Sequence, residues 1–226
     1  IDFVSPNENY TVYDYQKDIR KILEQEKDKN IIIVGGTGLY LKAALYDYKF
    51  EAESNTETYE NLTNEEIYEL ALRKDSSCDI HPNNRKRLVR FLNKTTNPIN
   101  SKPLYNAIYI GLTTERETLY QKINDRVDKM LELGLLEEAK KLFKKYPNSH
   151  ILNNAIGYKE IKKYIANEIE FESAIDDIKK NSRHYAKRQY TWFNNQMNIH
   201  WIETDYENFD NTIKKTIDYV ETNKNI

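Results

Sequence analysis

The segment Gly35-Gly36-Thr37-Gly38 is the stretch of this sequence best suited to holding an anion. It follows a short β-branched apolar run, Ile31-Ile32-Ile33-Val34, and precedes a helical stretch from Leu39 to Tyr46. Glycines after a buried strand let the backbone approach a phosphate, and the next helix presents free N–H groups to it. Thr37 adds a hydroxyl at the crevice where α/β sheets bind ligands. The segment lacks G-x-x-x-x-G-K-[ST], so it is not a Walker A loop. A tight structural turn would carry the same glycines, and that reading stays open.

A second group lies on a long helix predicted from about Glu172 to Asn195. Ile178, Tyr185 and Trp192 recur every seven residues and share a face, and Asn181, Ser182, Arg188 and Gln189 fall on that face too. Polar side chains on a core-facing stripe need partners, because unpaired burial costs about 1–3 kcal/mol. A cleft would supply those partners, and so would an internal hydrogen-bond network. Another stripe carries Lys180, Arg183, His184 and Lys187 at i, i+3, i+4 and i+7. Its charge suits a phosphate backbone, or simply a solvated face. On a shorter helix, Arg87, Arg90 and Lys94 form a second basic stripe beside Leu88, Phe91 and Leu92. Arg126 sits at the edge of an apolar face made by Leu119, Ile123, Val127 and Met130. A guanidinium there can grip a phosphate bidentately or form an ordinary salt bridge. Cys78 and His81 make a lone C-x-x-H that nothing completes, so no zinc site is expected.

The elements that position these groups alternate in type. Strands are expected at Ile1–Val4, Ile31–Val34, Tyr105–Leu112 and Ile199–Ile202. Thr11 with Asp14, and Thr63 with Glu66, are capping boxes that open helices, and Thr114 with Glu117 reads the same way. Helices are also expected at about 83–94, up to Tyr146, at 158–166 and at the end of the chain, and Gly134 ends the long helix that Thr114 opens. Lys49 to Thr58 reads as a linker. Strands alternating with helices argue for a parallel α/β sheet.

The 226 residues suffice for one large domain or a domain with a small insert. Lys+Arg is 34 and Asp+Glu is 36, so the net charge of −2 gives no bulk sign of nucleic-acid binding, and only local clustering can. The single cysteine fits a reducing compartment. No apolar run approaches a membrane span and no secretory signal is visible, so a cytoplasmic protein is expected. Opening on Ile1 in what looks like mid-strand, the chain is expected to have a segment before it.

Together the motifs resemble the tRNA dimethylallyltransferase family. Ile31 to Tyr40 resembles its VGGTGLY segment, and His81-Pro82-Asn83-Asn84 with Arg87 and Arg90 its HPND…R..R segment. Tyr120, Ile123, Arg126, Val127, Asp128, Met130, Leu131, Gly134 and Leu135 resemble LY.RI..RVD.ML..GL. Ala155 to Glu160 resembles AIGYKE, and Tyr185 to Phe193 resembles YAKRQ.TWF.

The resemblance implies a P-loop NTPase-like, nucleotide-binding (ATP-binding class) α/β fold. Its parallel sheet would be incomplete and surrounded by helices, with core residues 1–50 and 81–226 and a small helical insert at 51–80 that contacts the anticodon stem. It implies transfer of a dimethylallyl group from dimethylallyl diphosphate to N6 of an adenosine beside the tRNA anticodon, with Mg²⁺. The metal would have no ligand within this chain, and the intact protein would be a monomer. Thr37 would lie near the reacting centre and Arg126 would hold the diphosphate, with Gly35, Gly36, Gly38 and Tyr40 lining the channel. Lys86, Arg87, Arg90, Gly157, Tyr158, Lys159, Arg183, Lys187, Arg188, Gln189, Thr191 and Trp192 would contact tRNA. The family's phosphate loop and the Asp thought to act as base would precede Ile1, so this chain alone is expected to be inactive. Detectable prenylation by it would refute that. Asn84 and Asn194 replace the family's usual Asp and Arg. A non-catalytic RNA-binding fragment and an adenylate isopentenyltransferase are the alternatives.

Overall fold

The computed structural model describes residues 3–50, 57–93 and 102–224. The chain divides into two compact units, Ile1–Ala44 with Tyr105–Ile226, and Leu45–Leu104.

In the first unit, helix α1 (Val12–Gln25) opens with the expected capping box: the Asp14 N–H donates to Thr11 Oγ1, and the Asp14 carboxylate accepts from the Thr11 N–H at 2.8 Å. Hydrogen bonding to Thr11 holds the Asp14 pKa below its ordinary value. Helix α2 (Gly38–Leu45) follows the glycine segment and is tied to α1, since Gln16 Nε2 donates to the Ala43 carbonyl at 2.8 Å.

The one sheet among the described residues has two parallel strands, β1 (Ile110–Thr113) and β2 (His200–Glu203), in register from Ile110 opposite His200. Five helices make the crossover between them: α5 (Arg116–Glu132), α6 (Leu135–Lys145), α7 (His150–Asn154), α8 (Tyr158–Ile165) and α9 (Phe171–Gln196). Val127, Leu135, Ala139, Ile161 and Ile178 form one buried cluster that fixes α5, α6, α8 and α9 together. Helix α10 (Phe209–Asn223) closes the chain against β2, with His200 stacked on Tyr219.

The expected buried strand at Ile31–Val34 does not form. A strand needs a neighbour to receive its ladder bonds. None flanks this segment among the described residues, and Ile32 and Val34 are 86 % and 90 % exposed. The expected strand at Ile1–Val4 begins outside the described residues, and Phe3 and Val4 are not in a strand. The Thr114–Glu117 cap is also absent. Helix α5 starts at Arg116, which places Glu115 at the cap position with no side-chain bond. Helix α7, capped by Ser149, was not foreseen.

In the second unit, α3 (Asn64–Lys74) carries the Thr63–Glu66 capping box and packs on α4 (Arg85–Asn93). Ile67, Ala71, Ile80 and Leu88 share one core. This unit is wider than the 51–80 insert read from sequence. The reason is that Leu88 of α4 completes the apolar cluster begun by α3, so α4 belongs with this unit. Residues 51–56 of the expected linker, and Lys94 of the expected basic stripe, lie outside the described residues.

Candidate active site

Helix α9 carries the glycine segment on one stripe. Tyr185, Gln189, Trp192 and Gln196 follow the i, i+4, i+7, i+11 spacing that keeps side chains on one helix face. Each meets the region around Thr37. The hydroxyls of Thr37 and Tyr185 face each other at 3.5 Å. Gln189 Nε2 donates to the Gly36 carbonyl at 2.8 Å. The Trp192 ring lies on Gly38 so closely that a Cβ there would stand 1.9 Å from ring carbon Cε3. Lys42 Nζ, one turn into α2, donates to Gln196 Oε1 at 2.8 Å. Only glycine fits between α2 and the indole at position 38. A Cβ at Gly36 would meet the Gln189 amide at 2.2 Å, whereas one at Gly35 would meet nothing within 4 Å.

A second glycine loop is held two turns earlier on the same helix. Gly157, at φ +98°, donates its N–H to Glu160 Oε2 at 2.8 Å. The other oxygen of Glu160 accepts from Asn181 Nδ2 at 2.7 Å, and Lys159 Nζ stands 3.4 Å from it. Glu160 is 2 % exposed, so these partners offset the cost of burying its charge. Next to it, Tyr158 donates its hydroxyl to Glu138, and desolvation together with that carboxylate pushes the phenol pKa up to about 12. The polar inner face of α9 is thus satisfied by loops at Asn181 and Gln189.

The other expected site residues are spread over α2, α9, α5 and α4. Tyr40 stacks on Tyr15, with ring centroids 4.9 Å apart. Arg188 lies over the Tyr185 ring at 5.7 Å, and Thr191 turns its hydroxyl back to the Lys187 carbonyl. Arg183, expected on an outward basic stripe, instead donates to Asn124 Oδ1 at 2.7 Å across the α5–α9 contact. Lys180, His184 and Lys187 are exposed. Arg126 is exposed on α5 and makes no hydrogen bond or ion pair among the described residues, and no contact brings it to Thr37. On α4, Lys86, Arg87 and Arg90 are exposed, while Arg85 is spent on the Tyr59 and Leu62 carbonyls.

Two contributors were not singled out beforehand. Glu160 closes both the Gly157 loop and the Asn181 amide, and the inward Asn181 without an obvious mate was the clue to it. Tyr190 donates to Thr113 Oγ1 at 3.0 Å and stacks on Trp201, which seats α9 against both strands.

Residues 1–196 match the family model described as IPP transferase. The chain belongs to the IPP transferase family. Among relatives, the tRNA dimethylallyltransferase of Anoxybacillus flavithermus is 38 % identical over 240 residues, covering 98 % of this chain and 77 % of the relative. That of Streptococcus agalactiae is 40 % identical over 229 residues, covering 96 % and 76 %. Among solved structures, the full-length tRNA isopentenylpyrophosphate transferase of Bacillus halodurans superposes with a TM-score of 0.72 at 34 % identity, over 98 % of this chain and 76 % of that one. The Staphylococcus epidermidis enzyme gives 0.71 at 33 %, over 98 % and 80 %. Every family segment quoted from the sequence therefore sits in an α/β chain of this family, and the Gly35–Gly38 and Tyr185–Phe193 segments meet face to face.

Proposed function

We propose that this chain is that of a tRNA dimethylallyltransferase, a prenyltransferase that moves a dimethylallyl group from its diphosphate to N6 of an adenosine beside the anticodon. The observation that carries the reading is the packing of the Gly36–Gly38 segment on Tyr185, Gln189 and Trp192. It joins two family segments far apart in sequence around one hydroxyl, Thr37.

The chemistry makes definite demands. An exocyclic amine is a poor nucleophile because its lone pair is delocalised into the purine, so alignment with the allylic carbon matters most. The adenosine must leave the stack to be aligned, at a cost of a few kcal/mol. Thr37 and Tyr185 offer a hydroxyl pair that can hydrogen-bond the extruded base or an oxygen of the diphosphate. The departing diphosphate needs cations and N–H donors, and the unpartnered guanidinium of Arg126 is our candidate for that role. Mg²⁺ would neutralise the diphosphate when bound. The described residues bring no three His, Cys, Asp or Glu side chains together as a cage for it, and we route no step through the ion.

The finer parts of the reading rest on the family resemblance. They are a P-loop-type nucleotide-binding core, a monomer, and anticodon-stem contacts by Lys86, Arg87 and Arg90 of the second unit. No helix among the described residues is long and apolar enough to cross a membrane. With the lone Cys78, this favours the cytoplasm as the place of action.

Binding of a radiolabelled anticodon stem-loop RNA against AMP tests the reading. We expect the chain to retain the stem-loop, with affinity falling steeply as salt rises, and not AMP. Equal retention of both would favour an adenylate isopentenyltransferase. Retention that ignores the identity of the target base would favour a plain RNA-binding module.

A further inference from the structure

We propose that Gln189 and Trp192 are positioning residues that act through the Gly36–Gly38 segment, and not RNA contacts. The inference rests on the reading of Thr37 as a site residue and deepens it. Both side chains are committed inward. The Gln189 amide donates to the Gly36 carbonyl, and the Trp192 ring occupies the space where any side chain at position 38 would go. Between these two fixed points stands Thr37, whose hydroxyl faces Tyr185 of the same helix. The glycine segment has no strand ladder behind it, since Ile31–Val34 pairs with nothing among the described residues. A hydrogen bond to the carbonyl before Thr37 and a packing stop after it leave that residue little freedom in φ and ψ, which is what aiming a hydroxyl requires.

The test uses amide NMR shifts of Gly36, Thr37 and Gly38 in the full chain, with RNA binding read in parallel. Gln189→Ala removes the donor, and Gln189→Glu sets a carboxylate against the Gly36 carbonyl. Both should move the three resonances at pH 7. Only Gln189→Glu should return them toward wild type as pH falls through the carboxyl's pKa, which partial burial against a carbonyl raises above the free value of about 4.3, because the protonated carboxyl can donate again. A side chain that made no bond to Gly36 would not produce that pH rescue.

Gly38→Ala should lower the melting temperature, and should cost measurably less in a Trp192→Ala background, as expected for two groups competing for one space. In stem-loop binding, Gln189→Ala should narrow the preference for adenosine over guanosine at the target position while the salt slope stays as in wild type, since phosphate contacts are untouched. Unmoved loop resonances in Gln189→Ala would overturn the proposal. So would an unaltered preference for adenosine in that variant, since Thr37 would then need no help from Gln189. Failure of the wild-type chain to bind the stem-loop would refute the proposed function instead, and would leave the NMR result standing.

Discussion

Helices α9 and α4 both carry basic and polar side chains, yet they use them in opposite ways. On α9, Asn181, Arg183, Gln189 and Gln196 are spent on neighbouring elements: Glu160, Asn124, the Gly36 carbonyl and Lys42. On α4, Arg85 and Asn93 are spent on backbone carbonyls, and Lys86, Arg87 and Arg90 stay exposed. The first helix is a scaffold that orients loops, and the second is a charged surface on a small core. A count of cations by sequence treats them as equals. Whether a basic or polar side chain acts as a tether or as a contact depends on what the other elements bring to it.

This contrast can be broken first at Glu160. Replacing it with alanine leaves the Gly157 N–H and the Asn181 amide without their acceptor in a site that is 2 % exposed. A loss of about 2–4 kcal/mol is expected in denaturant unfolding, and Glu160→Gln should lose less. Leu88→Ala should cost the second unit about 2–4 kcal/mol through the cavity it opens. Amide resonances of Gly36–Gly38 should not respond to it. Each of Lys86→Ala, Arg87→Ala and Arg90→Ala should leave stability within about 0.5 kcal/mol. Each should also lower the salt slope of stem-loop binding by about 1 if it meets a phosphate. Slopes unchanged from wild type in all three would remove α4 from the RNA surface.

The smallest effect expected is at the exposed α1 cap. The folded-state pKa of Asp14 is held below the ordinary value of 3.8 by Thr11. Its contribution is therefore present above that value and fades as pH falls through the lower folded-state pKa. Circular dichroism should register slight fraying of α1 only at strongly acid pH, and Thr11→Ala should abolish that pH dependence.

Much of the fold was legible because the interactions are local. Thr11 with Asp14 and Thr63 with Glu66 lie three residues apart, and both boxes form. The 26-residue span of α9 was nearly read from its periodicity. The Ile31–Val34 run has strand composition, but composition does not provide a neighbouring strand. At the site, the inward polar face of α9 announced that partners were needed. It did not identify them, because Gly36 and Gln189 are 153 residues apart. The same distance hid the reason for Gly38, which is the Trp192 ring rather than the turn itself. Arg183 looked free in a helical projection and is not, because Asn124 comes from another helix.

The most direct measurement places an RNA base against Thr37. In a Cys78→Ser background, which removes the chain's own thiol, Thr37→Cys would be challenged with stem-loop RNA bearing on N6 of the target adenosine a short tether that ends in a mixed disulfide, so that the Cys thiolate displaces the small leaving thiol. We predict a disulfide cross-link with that RNA, and none when the same tether sits in the stem. Tight binding without a cross-link at the target adenosine, or equal cross-linking from the stem, would contradict the account.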